Sequence, residues 1–258
     1  MPRVSATIIT LNEAENIRDC IESVLWADEV VVVDSGSTDG TVETAREYTD
    51  RVLHHDWPGH VQQKNYAIDQ AQADWIFSLD ADERVTPELA EDIKRVLLSE
   101  TPEYRAYSVP RLAFYLGRYI RHCGWYPDRK VRLFAKDAGR WGGRNPHDSV
   151  KVGCPVGALR GDLIHYTYRD ISHNMRTVNS FSSIAAAEMR SEGERAGAFD
   201  LTLRPCWDFF REYVVKGGFL DGRAGLVISA MTAYSVFCKY AKLWELARGA
   251  GAGDEAGE

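Results

Sequence analysis

The sequence has few of the features that mark secreted, zinc-binding or nucleic-acid-binding proteins. Its five cysteines are odd in number, widely spaced and nowhere arranged as C-x-x-C, so it predicts neither a disulfide framework nor a zinc site. The first residues, MPRVSATIIT, lack the apolar core and small-residue cleavage site of a signal peptide. A net charge of −7 argues against nucleic-acid binding, which requires a basic surface. We therefore expect a cytoplasmic protein that does not bind nucleic acid.

Glycine-rich phosphate-binding motifs are also missing. No G-x-G-x-x-G follows the first β-rich run, residues 4–10, which disfavours a dinucleotide oxidoreductase. A nucleotidyltransferase would normally carry a Gly- and Arg-rich loop at the same place. This chain has TLNEAEN there, so a nucleotidyltransferase is the weaker alternative.

The chain is long enough for one main domain, because 258 residues with 45% hydrophobic content can bury a sizeable core. Over the first hundred residues, β-rich runs alternate with segments of helical spacing. The predicted strands are 4–10, 29–33, 51–54 and 75–79, and the predicted helices are 15–26, 41–48, 61–71 and 87–98. We expect Asn12 to cap the first helix and Thr86 to cap the last. The pattern predicts an α/β fold with an open, mostly parallel sheet flanked by helices.

The rest of the chain has a different pattern. Residues 106–168 are typical of short β-segments and loops, which we expect to form the second wall of a cleft. Residues 171–190 and two aromatic-rich segments within 204–246 have helical spacing. The last ten residues, GAGAGDEAGE, are acidic and low in complexity, so we expect them to be disordered.

Polar residues follow the predicted strands where each strand ends. They are Asn12, Glu13, Asp34, Asp80 and Asp82. In open α/β sheets ligands bind beyond the carboxyl ends of the strands, so these side chains are expected to converge. In an extended segment Asp80 and Asp82 would face the same side while Ala81 points away. Two adjacent carboxylates repel each other, and Mg²⁺ or Mn²⁺ would relieve that repulsion. The alternative is a solvated turn before Thr86.

Asp34 and the pair Lys64–Asn65 also allow two interpretations. Asp34 could accept a hydrogen bond from a ribose hydroxyl or a base N–H, or it could belong to an ordinary turn with Ser-Gly-Ser. Asn65 shares a helical stripe with Val61 and Ile68, which places an amide on the face expected to pack inward. A buried amide needs a partner, which is either a ligand or the protein backbone.

Four motifs in order resemble those of a known enzyme family. They are TIITLNEAENI, VVVVDSGSTDGT, QQKNYAI and FSLDADE. In this order they resemble the inverting family 2 nucleotide-sugar glycosyltransferases, which have the GT-A fold. Later segments look like the subgroup of bacterial lipopolysaccharide inner-core β-glucosyltransferases: GWYPDRKVRLF, NPHDSV, LIHYTY and GGFLDGRAGL. The subgroup implies UDP-glucose as donor and a heptose of the lipopolysaccharide core as acceptor.

The resemblance implies roles for individual residues. Glu13 and Asp34 are expected to bind the nucleoside, and Lys64 or Asn65 to lie near the nucleotide. The whole nucleotide-sugar site is expected to comprise Thr10, Asn12, Glu13, Asp34, Lys64, Asn65, Asp80, Ala81, Asp82, Arg129 and Arg132. The two arginines alternate on YPDRKVRLF and could reach a diphosphate together, the alternative being a solvated strand face.

An inverting transfer needs a general base and a cation beside the departing diphosphate. The resemblance favours Asp148 as the base, because it matches the acidic residue after the acceptor-side loop of the family. Asp128 is the alternative base, and a loop cap is the alternative role for Asp148. Mn²⁺ or Mg²⁺ is expected at Asp80 and Asp82, with His165 either as a third ligand or as a buried core histidine.

These interpretations divide the chain into three parts. A GT-A-like catalytic domain is expected at 1–168, with a nucleotide-sugar half at about 1–100 and an acceptor half at about 101–168, followed by a helical extension at 169–248 and a tail at 249–258. A non-catalytic nucleotide-sugar-binding or assembly subunit is the alternative from another functional class. The intact set of Asp80, Asp82 and Asp148 favours the enzyme.

The helical extension differs in charge from the rest of the chain. Residues 201–248 contain seven Lys or Arg and four Asp or Glu, a net of +3 in a chain of −7. Its last helix has a polar stripe formed by Ser229, Thr232, Ser235, Lys239 and Lys242. The apolar run 224–238 is shorter than the about 20 residues that cross a bilayer, so we do not expect it to span. We expect peripheral attachment to the anionic cytoplasmic face of the inner membrane, near a lipid-linked acceptor. The alternative is packing on the catalytic domain or in a homodimer.

Overall fold

The computed structural model describes residues 2–99, 101–144 and 147–249. The strands are β1 (Val4–Thr10), β2 (Glu29–Asp34), β3 (Val52–His54), β4 (Trp75–Asp80), β5 (Glu83–Val85), β6 (Ala106–Tyr115), β7 (Arg118–Ile120), β8 (Asp128–Ala135), β9 (Gly139–Arg144), β10 (His147–Val152), β11 (Val156–Ala158) and β12 (Leu163–His165). The helices are α1 (Ile17–Glu22), α2 (Thr41–Arg46), α3 (His60–Gln70), α4 (Pro87–Leu97), α5 (Ile171–Ser191), α6 (Ala198–Phe210) and α7 (Gly222–Gly249). A π-helical turn, Arg211–Val215, and a 3₁₀ turn, Gly218–Asp221, connect α6 to α7.

One curled sheet forms the centre of the fold, in the order β3-β2-β1-β4-β8-β6-β12-β5. The pairs β2–β3, β1–β2 and β1–β4 are parallel, and β8 joins antiparallel to both β4 and β6. Register places Thr10 beside Asp34 and Ile9 beside Asp80. The predicted α/β class is confirmed, and the polar ends of β1, β2 and β4 lie at one edge of the sheet.

The parallel strands are covered on both faces, which explains their nearly continuous apolar sequence. Every residue of β1 is buried, and β2 adds four consecutive buried valines. Ile8 packs in one cluster with Ile17 of α1, while its neighbour Ile9 packs in another with Ala67 of α3. Each such side chain contributes about 1.5–3 kcal/mol when fully buried. The alternation along the strands thus brings α1 and α3 to opposite faces of the sheet.

Two details at the strand ends differ from the expectation. Asn12 does not cap the first helix: α1 begins at Ile17 and Asn16 is its N-cap residue, because the chain first makes a turn in which Asn12 takes a left-handed φ of +55°. The segment after β4 also turns at Ala81 and Asp82 instead of staying extended. Asp80 and Asp82 are therefore not aligned by strand pleating. The predicted cap of α4 is confirmed, since the Thr86 hydroxyl accepts the N–H of Leu89.

Contacts divide the chain into two compact units. The first comprises residues 1–112 and 127–166, and the second comprises 113–126 and 167–258. The boundary near 166 lies close to the predicted one at 168. The stretch 113–126, which we expected in the catalytic domain, groups with the helices instead, because β7 and the adjoining loop pack on the start of α7. Residues 250–258 of the expected disordered tail lie outside the described residues.

In the second unit, α7 packs between α5 and α6 and turns part of its polar stripe inward. Lys242 Nζ donates to Asn179, Ser182 and Ser183 of α5 at 2.6–2.9 Å, and Ser229 is fully buried. By length and composition the segment Gly218–Arg248 could cross a membrane. That finding does not test the expectation that the apolar run 224–238 does not span a bilayer, which stays a prediction.

Candidate active site

Side-chain hydrogen bonds join the loops after β1 and β2. The main-chain N–H of Asn12 donates to the Ser37 hydroxyl at 2.8 Å, and its Oδ1 accepts the N–H of Thr38 at 2.9 Å. The N–H of Glu13 donates to the Thr41 hydroxyl at 2.8 Å. These bonds shape the edge of the crevice. They also occupy the side-chain oxygen of Asn12, which gives this residue a structural function in the loop.

Asp34 is buried at the end of β2, beside Thr10. Its Oδ2 accepts the N–H groups of Gly36 and Ser37 at 2.8 and 2.9 Å, and its Oδ1 accepts the Ser37 hydroxyl. The turn chemistry is therefore present. A carboxylate offers about four acceptor positions, so these three bonds leave one for a ligand. The Thr10 hydroxyl is buried without a hydrogen-bond partner within the described part of the chain.

Asp80 lies between two buried cations at the end of β4. Its Oδ1 is 3.0 Å from Lys64 Nζ, and its Oδ2 is 3.1 Å from Arg132 Nη2. Arg132 is 2% exposed and also donates to Glu83 Oε1 at 2.6 Å. Burial alone would raise the pKa of Asp80, but the charges of Lys64 and Arg132 outweigh it and hold this pKa far below its ordinary value. Both oxygens of Asp80 are thus engaged by the protein.

Asp82 has a different environment. Its Oδ2 is 3.2 Å from His165 Nε2, while its Oδ1 is buried and has no hydrogen-bond partner among the residues described. A buried carboxylate oxygen without a donor is costly, and a cation would satisfy it. Mn²⁺ can bind the Asp82 carboxylate together with the His165 imidazole, and Mg²⁺ can bind the carboxylate. Asp82 and His165 therefore fit a divalent cation.

Asp80 does not complete a conventional metal cluster. Within residues 2–99, 101–144 and 147–249, no group of three or more His, Cys, Asp or Glu side chains could hold a metal ion. The carboxylate of Asp80 pairs with Lys64 and Arg132 instead. Two protein ligands are still compatible with Mg²⁺ or Mn²⁺, since such ions keep waters and substrate phosphates in their coordination shell.

Asp148 lies in β10, which pairs with β9 in a separate hairpin. Its Oδ2 is 2.9 Å from Lys64 Nζ, so one ammonium group contacts both Asp148 and Asp80. The ring of Trp141, in β9, lies under this ammonium with 4.1 Å between Nζ and the ring centroid. Trp141 also faces the guanidinium of Arg132 at 5.3 Å. The structure thus brings Lys64, Asp80, Arg132 and Asp148 together.

Two predicted nucleotide-site residues have protein partners elsewhere. The Asn65 amide bonds the main chain of Trp141 in both directions at 3.0 Å, so the backbone-satisfied interpretation of this amide is the observed one. Arg129 is exposed, and its Nη1 donates to the carbonyl of Leu159 at 3.1 Å. Arg132 joins the acid cluster, whereas Arg129 has these other contacts. Ala81 is buried in the turn between Asp80 and Asp82.

Asp128, the alternative base, is strongly paired. Arg111 donates to its Oδ2 through Nη2 at 2.7 Å and Nε at 3.1 Å, and Lys130 Nζ is 2.9 Å from its Oδ1. Burial would raise the pKa of Asp128, but the hydrogen bond from Lys130 and the charge of Arg111 outweigh it and lower this pKa below its ordinary value. A carboxylate stabilised in its ionised form by both oxygens is a weak proton acceptor. The geometry favours Asp148 over Asp128.

Sequence reasoning missed two residues that organise the site. Glu83 is fully buried and binds both Arg132 and the main-chain N–H of Asp80. Its place in the acidic run DADE was a usable signal, because a third acid there needs a counter-charge. Trp141 forms the platform beneath Lys64, and no local pattern around RWGG indicated this function.

Known proteins resemble this chain in sequence and in fold. Residues 5–143 match the sequence model of the family described as Glycosyl transferase family 2. An uncharacterised glycosyltransferase of Rickettsia typhi is 31% identical over 95% of this chain and 88% of its own length. The lipopolysaccharide core biosynthesis glycosyltransferase LpsC of Rhizobium meliloti is 30% identical over 92% of this chain and 93% of its own length.

The fold agrees as well. A mannosyltransferase of Pyrobaculum calidifontis, solved with GDP-Man and Mn²⁺, aligns over 95% of this chain and 88% of its own, with a TM-score of 0.56 and 17% identity. At that identity the likeness concerns the GT-A fold alone. With the family match and the relatives, it leads to one conclusion: this chain belongs to glycosyl transferase family 2 and is a glycosyltransferase.

Proposed function

We propose that this glycosyltransferase moves a hexose from a UDP-hexose, with inversion, to a hydroxyl of a lipopolysaccharide core or another cell-envelope glycan. The observation that carries the proposal is the meeting of Asp80 and Asp148 on Lys64 at the carboxyl edge of β1, β2 and β4, with the pair of Asp82 and His165 in the turn that follows β4. The similarity to LpsC supports the envelope-glycan acceptor. The inverting course and the UDP-hexose donor follow from the motif resemblance.

The residues have distinct functions in this proposal. Asp34 and Thr10 receive the nucleoside, using the remaining acceptor position of Asp34 and the unpaired hydroxyl of Thr10. Arg132 contributes Nε and Nη1, which are buried and lack partners in the described residues, to the diphosphate. Asp82 and His165 hold the divalent cation, which would neutralise the departing diphosphate. Asp80 keeps Lys64 and Arg132 in place.

Asp148 is the base in this reaction. Its carboxylate accepts the proton of the acceptor hydroxyl while the acceptor oxygen bonds to the anomeric carbon and the bond from that carbon to the diphosphate breaks. Lys64 engages Oδ2, so Oδ1 is the oxygen left for the proton. A positioned base typically contributes about 10²- to 10⁴-fold.

A nucleotide-sugar panel with Mn²⁺ or Mg²⁺ tests the proposal by sugar-nucleotide hydrolysis and by transfer to core oligosaccharide. Asp148→Asn should slow transfer by about 10²- to 10⁴-fold but leave UDP binding nearly unchanged in calorimetry. Asp82→Ala should lose both activity and Mn²⁺ binding. Asp56→Asn, which alters a fully exposed carboxylate, is the matched control and should behave as wild type. Full turnover without divalent ions would contradict the function assigned to the cation. UDP binding without turnover of any donor would contradict the whole proposal and favour a non-catalytic binding subunit.

We also propose that the second unit binds the anionic surface of the inner membrane from the cytoplasm. One face of α6 is a stripe of exposed apolar side chains spaced three or four residues apart and continued by the π-helical turn: Phe199, Leu203, Trp207, Phe210 and Val214. Such a stripe in a region of net charge +3 is typical of helices that lie in the membrane interface. A glycolipid acceptor would be presented there.

A further inference from the structure

We propose that Lys64 is a positioning residue for Asp148, and that Lys64 and Asn65 together clamp the hairpin of β9 and β10 onto α3. The proposal deepens the function given above and rests on Asp148 as the base. It concerns the question of what holds that base in place. Neither the motif resemblance nor the family assignment answers it.

The hairpin cannot be positioned by main-chain pairing alone. β9 and β10 pair with each other from Gly139 to Val152 and form a sheet of their own, separate from the central one. Strand pairing therefore fixes the position of Asp148 relative to β9 but not relative to β4. Contacts made by side chains must set the distance between Asp148 and the acids of β4.

Lys64 provides the first of these contacts. It is 4% exposed, and its ammonium has three neighbours from three segments. These are Asp148 Oδ2 at 2.9 Å, Asp80 Oδ1 at 3.0 Å and the Trp141 ring at 4.1 Å from Nζ to centroid. A buried ammonium is stable only when its charge is compensated. Its position is thus determined by β4 and β10 together, and it ties the two at a fixed separation.

Asn65 provides the second contact. Its Nδ2 donates to the Trp141 carbonyl and its Oδ1 accepts the Trp141 N–H, both at 3.0 Å. The amide thus pairs with β9 much as a neighbouring strand would. A third contact, Arg140 to Asp69 at 2.6 Å, joins two side chains that are each 53% exposed. An exposed pair of this kind contributes little. Apolar packing of Trp141 and Val150 with Ile68 and a hydrogen bond from the Trp141 indole to Ser78 also hold the hairpin, and Lys64 and Asn65 are the polar contacts that α3 adds.

A double-mutant cycle tests the action of Lys64 on Asp148. We expect Lys64→Met to lower kcat by about 10²-fold while the KM for the donor changes less than about threefold. We expect the double variant Lys64→Met, Asp148→Asn to be no slower than Asp148→Asn alone, because both changes remove the same function. Lys64→Arg should recover part of kcat. Asp69→Ala, which removes only the exposed pair, is the matched control and should keep wild-type kinetics.

Two kinetic results would contradict the positioning function of Lys64. A raised donor KM with unchanged kcat would make Lys64 a donor-binding residue and overturn the positioning role. Additive losses in the double variant would do the same. If Asp148→Asn retains wild-type turnover, Asp148 is not the base. That result contradicts the proposed function and is distinct from a result that contradicts the clamp.

Hydrogen exchange tests the clamp independently of enzyme turnover. It uses a variant that removes two hydrogen bonds and leaves the buried charges in place. In Asn65→Ala, the amides of β9 and β10 should exchange about thirtyfold faster, because both hydrogen bonds between Asn65 and Trp141 are lost. Amides of β1 serve as the internal reference and should not change. Unchanged exchange in the hairpin would refute the clamp even if Lys64→Met fails to fold.

Discussion

Buried charges around β4 determine the local structure of the site. Arg132 donates to Asp80 and Glu83. Arg132 and Glu83 are buried, and the side chain of Asp80 is 28% exposed. Each charge is tolerated only because the others are present. A guanidinium suits this position because its fork reaches two carboxylates at once. The cluster holds Asp80 ionised and leaves Asp82 as the acid with an unsatisfied oxygen.

We predict that Arg132→Leu destabilises the protein by about 3–5 kcal/mol, because it removes the close counter-charge of the fully buried Glu83. Urea denaturation measures this free energy of unfolding. Arg105→Leu removes an arginine from an exposed pair with Asp137 and should change the free energy of unfolding far less, because solvent screens such a pair. Equal losses of unfolding free energy in the two variants would contradict a larger contribution from the buried cluster.

The stability of the protein should also depend on Asp128 at acid pH. Because the pKa of Asp128 is lowered in the folded state, its stabilisation is present above the ordinary Asp value of about 3.9 and is lost as the pH falls towards the lowered value. Asp128→Asn should therefore show a smaller fall in Tm between about pH 5 and pH 3 than the wild type. Parallel Tm curves for the two proteins over this range would rule out the linkage.

Close backbone contact at the start of α7 overrides helix propensity. Gly225 lies in the first turns of α7, directly over the 3₁₀ turn that precedes the helix. A Cβ added there would lie 1.8 Å from the carbonyl oxygen of Gly218, which no relaxation of a side chain can relieve. Glycine is thus required here by packing against another stretch of main chain.

We predict that Gly225→Ala destabilises the protein by about 1–3 kcal/mol, although alanine is favoured over glycine in helices by about 1 kcal/mol. Thermal unfolding checks the sign. Gly153→Ala is the control, since a Cβ at Gly153 meets no atom within 4 Å. A higher Tm for Gly225→Ala than for the wild type would contradict the close contact.

The two units of the molecule differ in surface character. The first contains the acid cluster and the nucleotide-sugar motifs. The second exposes the apolar stripe of α6 and, on α7, Leu226, Tyr234, Phe237 and Trp244. Broad exposed apolar faces mark interaction surfaces, and the charge of +3 in residues 201–248 favours an anionic one.

We predict that the wild type sediments with anionic vesicles and much less with neutral phosphatidylcholine vesicles. Replacing Leu203 and Trp207 by Ser should lower the bound fraction several-fold, as apolar area is lost from the stripe. Replacing Leu25 and Leu98 by Ser removes equally exposed leucines from the first unit and should have no effect. If the wild type is a dimer that the stripe variant dissociates, with vesicle binding unchanged, the surface joins two copies instead.

The sequence by itself determined the fold class and the order of elements in the first hundred residues except for β5, a three-residue strand that pairs with the distant β12. Runs such as the buried valines of β2 and the amphipathic spacing of α4 act locally, so periodicity was enough to find them. The same periodicity predicted that the polar residues lie at the strand ends. The family followed from the resemblance of four ordered motifs. The ends of parallel strands meet at one edge, which accounts for the convergence of those motifs.

Only the tertiary structure decided how the charges combine. Lys64 and Asp148 are 84 positions apart, and Asp80 and Arg132 are 52 apart, so no local pattern could pair them. The turn at Ala81 and Asp82 likewise overrode the strand pleating from which we expected Asp80 and Asp82 to act together. The reason is physical. A buried charge is stable only beside an opposite charge, and the fold of the whole chain determines which opposite charge lies close enough.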